Sequence, residues 1–320
     1  MSATPLLGIR HLIVEFPARH GDRAAVRGLS LDVQPGEILG LVGESGAGKS
    51  ATGAAVCGVL RPPGRIAGGE IRVRGERVDN LPEPKLRKLR GRTVGMIFQD
   101  AQAVLNPLYT IGSQLIETIR THLDITKAAA RARAIDLLDE VGMPQARQQL
   151  NAYPHELSGG MRQRVVIALA LAPGPELLIA DEPTSALDVS IQAQVLLRLE
   201  RACRERGMSV VLVTHDLGVA AQVCDRIAVM YAGRIVEIGA VDTIIESPRH
   251  PYTCGLMSAI PPVDHRPARL TQIPGQPPRL DEIQAGCAFH PRCTHAMDIC
   301  RREQPAMRRV DTREVECFLY

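Results

Sequence analysis

The chain has 320 residues, 45% of them hydrophobic and 23% charged, with a net charge of +3; this balance excludes a disordered chain and predicts one to three globular domains. Aromatics make up only 3%, with no Trp, and the basic residues are scattered, so neither stacking platforms nor a duplex-binding stripe is expected, and no nucleic-acid partner. The longest apolar runs, such as VVIALALA at 165–172, fall well short of the roughly 18 to 20 residues that cross a bilayer, and residues 1–16 lack a secretory pattern. A cytosolic chain is the expectation, and there cysteines serve more often as ligands than as cross-links.

Apolar alternation over 8–16 and again over 25–33 predicts strands of a half-exposed sheet. EILGLV at 37–42 is a continuous apolar run, as in a strand buried on both faces, and it leads into GESGAGKS. Helical periodicity follows in KAAARARAIDLLDEV at 127–141 and in MRQRVVIALALA at 161–172. ELLIAD at 176–181 and MSVVLVT at 208–214 read as further buried strands, separated by a helix through IQAQVLLRLERACRERG at 191–207. Strands alternating with helices predict an α/β fold with a mainly parallel sheet. From about residue 260 the chain turns rich in Pro and Gly, which predicts an extended or wrapping segment over 260–286, and a cluster of cysteines follows it. No internal repeat is visible.

GESGAGKS fits the phosphate-loop pattern G-x-x-x-x-G-K-[ST] and sits between a buried strand and a predicted helix. Its residues Gly43, Glu44, Ser45, Gly46, Ala47 and Gly48 would turn backbone amides onto the phosphates. Lys49 would neutralise them and the Ser50 hydroxyl would ligate Mg²⁺. LLIADEP at 177–183 ends a strand in two carboxylates: Asp181 is placed to hold Mg²⁺ through water and Glu182 to polarise an attacking water. Alone it would read as a solvated acidic turn; its place about 130 residues after the phosphate loop favours the catalytic reading. In LSGGMRQR at 157–164, Ser158, Gly159 and Gly160 open a helix, either as a plain cap or as a second anion site.

With that stretch the chain resembles the nucleotide-binding subunits of ABC transporters. The resemblance implies a P-loop NTPase of the ABC cassette type, with a RecA-like core, an antiparallel β subdomain and a helical signature subdomain at about 105–172. It implies that Ser158, Gly159 and Gly160 bind the γ-phosphate of an ATP held by the opposite subunit, and that Gln99 senses Mg²⁺ and that phosphate. His215 would contact the γ-phosphate, although a lone His at a strand end is more often structural. SALD at 185–188 would cross a dimer interface. Phe16 would stack on adenine, with a strand-end core Phe as the rival reading. Met161 stands where many members have Gln, and Ala101 where Pro is common; neither removes a phosphate contact. An active ATPase is therefore expected, with Lys49, Glu182 and His215 catalytic and Mg²⁺ at Ser50, Gln99 and Asp181.

LNPLYTIGSQL at 105–115, SPRHPYTCGLMSAIP at 247–261 and IPGQPP at 273–278 narrow the likeness to the oligopeptide and dipeptide importer ATPases, over nearly the whole chain. This implies an ATPase domain over 1–245 and an extension over 246–320 that opens a helix at His250, Pro251, Tyr252 and Thr253. It also implies two transmembrane permease subunits, a second related ATPase or a second copy, and an extracytoplasmic substrate-binding protein, with the chain peripheral at the cytoplasmic face of the inner membrane. Related importers of nickel, glutathione or other solutes, and a non-transport ABC ATPase, are the alternatives. The branch further implies a [4Fe–4S] cluster at Cys287, Cys293, Cys300 and Cys317. Their spacing, C-x5-C-x6-C-x16-C, is wider than the close pairs usual for zinc. Zinc completed by His290 or His295, a disulfide and uncoordinated thiols stay open. Cys57, Cys203, Cys224 and Cys254 lie dispersed in apolar segments and are expected as small core residues.

Overall fold

The computed structural model describes residues 4–18, 21–184, 189–259, 272–283 and 285–320. They divide into two compact units, one built from residues up to 33, 38–79 and 212 onward, the other from 34–37 and 80–211.

In the first unit, strand Leu7–Phe16 pairs antiparallel with Arg23–Val33 on one side and Arg65–Val73 on the other, and Glu76–Arg77 adds a short edge. The alternation read from sequence buries Ile9, Leu12 and Val14, but the register shifts between Ile9 and Leu12 against Arg23–Val33 and between Arg10 and Ile13 against Arg65–Val73. His11 sits there at φ 48° and a Cβ on Gly69 would lie 2.4 Å from the His11 carbonyl oxygen, so the bulge requires glycine opposite it.

The second sheet of this unit is built on Ile38–Val42, whose five residues are all buried, in parallel with Arg226–Tyr231. Arg226–Tyr231 turns back antiparallel into Arg234–Ala240. The C-terminal strands Arg308–Val310 and Arg313–Val315 then pair with each other and extend that edge, Val315 lying opposite Glu237. Apolar side chains from these strands, from helices Leu217–Val223 and Val241–Glu246, and from Tyr252 and Phe289 form one core. The described residues of 246–320 are thus tied into this unit by strand pairing and by shared core.

The helix expected to open at HPYT is Pro251–Ser258, capped by His250, whose Nδ1 accepts the Tyr252 N–H at 3.1 Å. A fully buried carboxylate fixes its entry: Glu237 accepts the amides of Arg249 and His250, each at 2.9 Å. Burial pushes the His250 imidazole down to about 3, so it is neutral in its acceptor role.

The second unit holds the parallel pair Val94–Ile97 and Leu177–Asp181 and a group of mutually packed helices: Ile111–His122, Lys127–Glu140 and Gly159–Leu171. Thr110, Thr126 and Ser158 cap them, each side-chain oxygen accepting the amide three residues on. Ile111, Leu115 and Ile119, four apart, are completely buried and give the first of these helices its packed stripe. Helix Val189–Glu205 leads to Ser209–Thr214, six buried residues along which the chain leaves this unit for the first. The strand and helix alternation expected from sequence is realised in both units. No helix among the described residues is long and apolar enough to cross a membrane.

Candidate functional site

Several of the singled-out residues sit at the carboxyl end of a strand, where an α/β sheet presents its ligand-facing loops. Gly43 follows Val42, Gln99 lies two past Ile97, Asp181 ends Leu177–Asp181, and His215 follows Thr214.

In the first unit the segment 43–50 forms a tight loop into helix Lys49–Val56, and close approach dictates its glycines. A Cβ at Gly43 would lie 2.1 Å from the Met230 carbonyl oxygen, and one at Gly48, φ 100°, would lie 2.3 Å from that of Ala25. Ser45, Gly46 and Ser50 are exposed on the loop, while Ala47 and Lys49 are buried in it. Lys49 Nζ donates to the carbonyls of Gly43 at 2.8 Å and Glu44 at 3.0 Å, so the cation is carried at the centre of the turn. The Glu44 N–H, expected to face phosphate, donates instead to Tyr252 Oη at 2.9 Å, because the buried tyrosine reaches the loop at that residue. Phe16 ends its strand half-buried, with one ring edge against Gly64, where a Cβ would lie 2.6 Å from Phe16 Cε1. His215 is exposed, and Asp216 beside it caps helix Leu217–Val223 by accepting the amides of Gly218 and Val219.

In the second unit the structure brings Gln99 and Glu182 together: Gln99 Nε2 donates to Glu182 Oε2 at 3.1 Å. Asp181 is buried, and Glu182 follows it at φ 45°, a left-handed conformation that costs a non-glycine residue about 1 to 3 kcal/mol. Sequence reasoning missed one support of this turn. Gln163, buried on helix Gly159–Leu171, donates its side-chain amide to the Pro183 carbonyl. A glutamine two residues before the apolar run VVIALALA, four residues from Ile167 on the same helix side, was the available signal. Ser158 caps that helix through Met161 N–H at 3.3 Å, and Ser158 and Gly159 are exposed at its start, with no acidic residue in the first turn. The SALD stretch at 185–188 lies outside the described residues.

The four C-terminal cysteines, separated by five, six and sixteen residues in the chain, line one cavity together with His290 and His295. No disulfide joins them. Backbone amides point at two of the sulfurs, His295 N–H to Cys293 Sγ at 3.4 Å and Met297 N–H to Cys300 Sγ at 3.5 Å. Burial pushes the Cys287 thiol up to about 11 and raises those of Cys293 and Cys317. Gly286 makes this fold possible: at φ 80° its Cβ would lie 2.4 Å from the Cys300 carbonyl oxygen. Among the described residues no group of three Cys, His, Asp or Glu side chains is arranged to hold a single metal ion. Of the other cysteines, Cys57 and Cys203 are buried as expected, and Cys224 and Cys254 partly so.

A phosphate loop, an Asp-Glu strand end bonded to a glutamine, and a serine-capped Gly-Gly helix define an ATP-binding cassette. Residues 26–185 match the ABC transporter family, and residues 236–300 match the C-terminal region of oligopeptide/dipeptide transporters. The chain is 47% identical to the oligopeptide transport ATP-binding protein OppD of Salmonella typhimurium, covering 95% of this chain and 90% of that one. It is 45% identical to the dipeptide transport ATP-binding protein DppD of Bacillus subtilis, over 98% of this chain and 94% of that one. A solved dimeric structure of MJ0796, a bacterial ABC transporter cassette, superposes with a TM-score of 0.67 at 27% identity, covering 73% of this chain and 98% of that one. The chain belongs to the ATP-binding subunits of ABC transporters, in the oligopeptide/dipeptide importer branch.

Proposed function

We propose that this chain is the ATP-hydrolysing subunit that powers import of short peptides through an ABC transporter. The observation that carries the reading is near-full-length identity to oligopeptide and dipeptide transport ATP-binding proteins, including the C-terminal region specific to that branch. In this reading residues 1–245 are the ATPase and 246–320 the branch-specific extension, with the helical signature segment within about 105–172; the packed helices of the second unit support the latter. The chain lies peripherally on the cytoplasmic face of the membrane, bound to two permease subunits that receive peptide from an extracytoplasmic binding protein. A second, related cassette pairs with it.

The residues proposed for ATP are Phe16 on adenine and the loop 43–50 on the phosphates, with Ser158, Gly159 and Gly160 serving the nucleotide of the partner cassette. The exposed, serine-capped start of helix Gly159–Leu171 supports the last assignment, since a helix N-terminus attracts anions. Ser50, Gln99 and Asp181 offer oxygen donors suited to Mg²⁺, and Gln99 bonds Glu182 through nitrogen, which leaves its amide oxygen for the cation. Mg²⁺ supplies charge neutralisation at the phosphates. Glu182 orients the attacking water, held by Gln99, while Lys49 and His215 counter the negative charge that develops. Replacing Glu182 by Gln should leave ATP binding intact and slow hydrolysis by about 10²- to 10⁴-fold; wild-type turnover in that variant would refute the assignment.

The same reading places a [4Fe–4S] cluster on Cys287, Cys293, Cys300 and Cys317. Four thiols on one cavity with N–H···S contacts support it: Cys₄ ligation is the usual cluster set, and amides aimed at sulfur stabilise thiolates. Bound, such a cluster would tie the stretch 287–300 to Cys317. Anaerobically purified chain should contain about four irons and four sulfides, lost in Cys293→Ser. One zinc, or no metal, would overturn this assignment and leave the ATPase reading intact.

A further inference from the structure

Arg292 ends the short turn His290–Arg292, immediately before Cys293, and its side chain is only 6% exposed. Its guanidinium reaches the phosphate loop, 248 positions earlier in the chain: Nη1 donates to Glu44 Oε2 at 2.7 Å and Nη2 to Oε1 at 3.0 Å. Nε donates to the Pro274 carbonyl at 2.9 Å, and Nη1 also to Tyr231 Oη at 3.3 Å. The rings of Tyr231 and Phe289 flank it.

Glu44 is gripped by its backbone as well. Tyr252 Oη accepts its N–H at 2.9 Å, and its carbonyl accepts Lys49 Nζ at 3.0 Å. Tyr252, Tyr231 and Phe289 pack with ring centres 4.6 to 5.4 Å apart, so three of the nine aromatic residues of this chain (five Tyr and four Phe) stand beneath the loop. Tyr252 and Arg292 both belong to the C-terminal extension.

We infer that Arg292 and Tyr252 are positioning residues of the phosphate loop, acting through Glu44 to hold the shape that receives ATP. ATP affinity then depends on how the cysteine-bearing turn is seated. The inference rests on reading 43–50 as the loop that takes the ATP phosphates. Its physical basis is the two-pronged ion pair, buried on the arginine side and partly exposed on the glutamate side: removing Glu44 leaves the buried guanidinium charge uncompensated, and a lysine cannot reproduce the fork. A loop that aims several amides at one phosphate chain loses affinity when its root shifts by a fraction of an ångström.

The test uses the full-length chain, titrated with trinitrophenyl-ATP, with Tm measured on the same samples and ATPase kinetics on the assembled transporter. Arg292→Met should raise the Kd, and the KM for ATP, about tenfold, and Arg292→Lys by less, with the loss falling on KM rather than on kcat. Tyr252→Phe should raise Kd severalfold. Glu44→Gln should match Arg292→Met, and the double variant should bind no worse than either single, because one interaction is removed twice. Wild-type Kd in folded Arg292→Met and Tyr252→Phe, or additive losses in the double variant, would overturn the inference. Should Arg292→Met fail to fold, Glu44→Gln and Tyr252→Phe decide in the same way. Wild-type binding by Lys49→Ala would instead remove the reading of the loop itself, and the inference with it.

Discussion

At the scale of single residues, strain and burial mark the site. Glu182 keeps a left-handed backbone at the end of a buried strand, and its turn is held on two sides, by Gln99 on the carboxylate and by Gln163 on the Pro183 carbonyl. Gln163→Leu should therefore slow hydrolysis through displacement of Glu182 while leaving ATP affinity near wild type; an unchanged kcat would assign Gln163 to packing alone. His250 gives a pH signature. Its folded value lies near 3, whereas the unfolded chain takes up the proton near its ordinary value of about 6.5. Between those values the unfolded state binds more protons, so stability present above pH 6.5 is lost as pH falls, by about 2 kcal/mol at pH 5. His250→Asn keeps a cap acceptor and removes the titration, so denaturation from pH 7.5 to 5 should show a shallower slope in the variant. Equal slopes would contradict this. The local motifs were legible in sequence because a phosphate loop, an Asp-Glu strand end and a Ser-Gly-Gly cap are each a few consecutive residues. Arg292 was not, since no spacing announces a partner 248 positions away.

Among elements, the segments read from sequence were those whose periodicity is decided by burial. The run at 37–42 became Ile38–Val42, 127–141 became Lys127–Glu140, and 208–214 became Ser209–Thr214. The strands Arg308–Val310 and Arg313–Val315 carried no such signal: they are short, four of their six residues are charged, and they are set by pairing, Arg313–Val315 with Arg234–Ala240 and Arg308–Val310 with Arg313–Val315. Arg313 is nevertheless buried, its guanidinium donating to the carbonyls of Thr243 and Ser247. Helix Gly159–Leu171 begins two residues earlier than its apolar run suggests, because Ser158 caps it. Ser158→Ala should cost about 1 kcal/mol of stability from the lost cap. A signature role adds a second effect, loss of ATP hydrolysis beyond what the Tm shift explains; a pure cap would show the stability loss only. At Gly286 the close Cys300 carbonyl leaves no space, so Gly286→Ala should destabilise by about 2 kcal/mol or more and open the cysteine cavity to thiol reagents. Unchanged Tm and unchanged thiol reactivity would contradict that account.

For the whole molecule, the C-terminal extension is the part whose place was least readable. Its Pro- and Gly-rich stretch over 260–286 read as an extended or wrapping segment, and residues 260–271 of it lie outside the described residues. The described residues on either side of it supply edge strands, core aromatics and a grip on the phosphate loop within the first unit. An extension built in this way should not be dispensable: truncation after residue 245 would remove Tyr252 and Phe289 from the core and should leave a chain that fails to bind ATP. The central claim, ATP hydrolysis spent on peptide import, is tested most directly by reconstituting the chain with its permease subunits in liposomes and measuring uptake of a labelled tripeptide. Uptake should require ATP and Mg²⁺, rise with the binding protein, and be abolished by Glu182→Gln. ATP hydrolysis without peptide uptake, unaffected by peptide or binding protein, would contradict the claim.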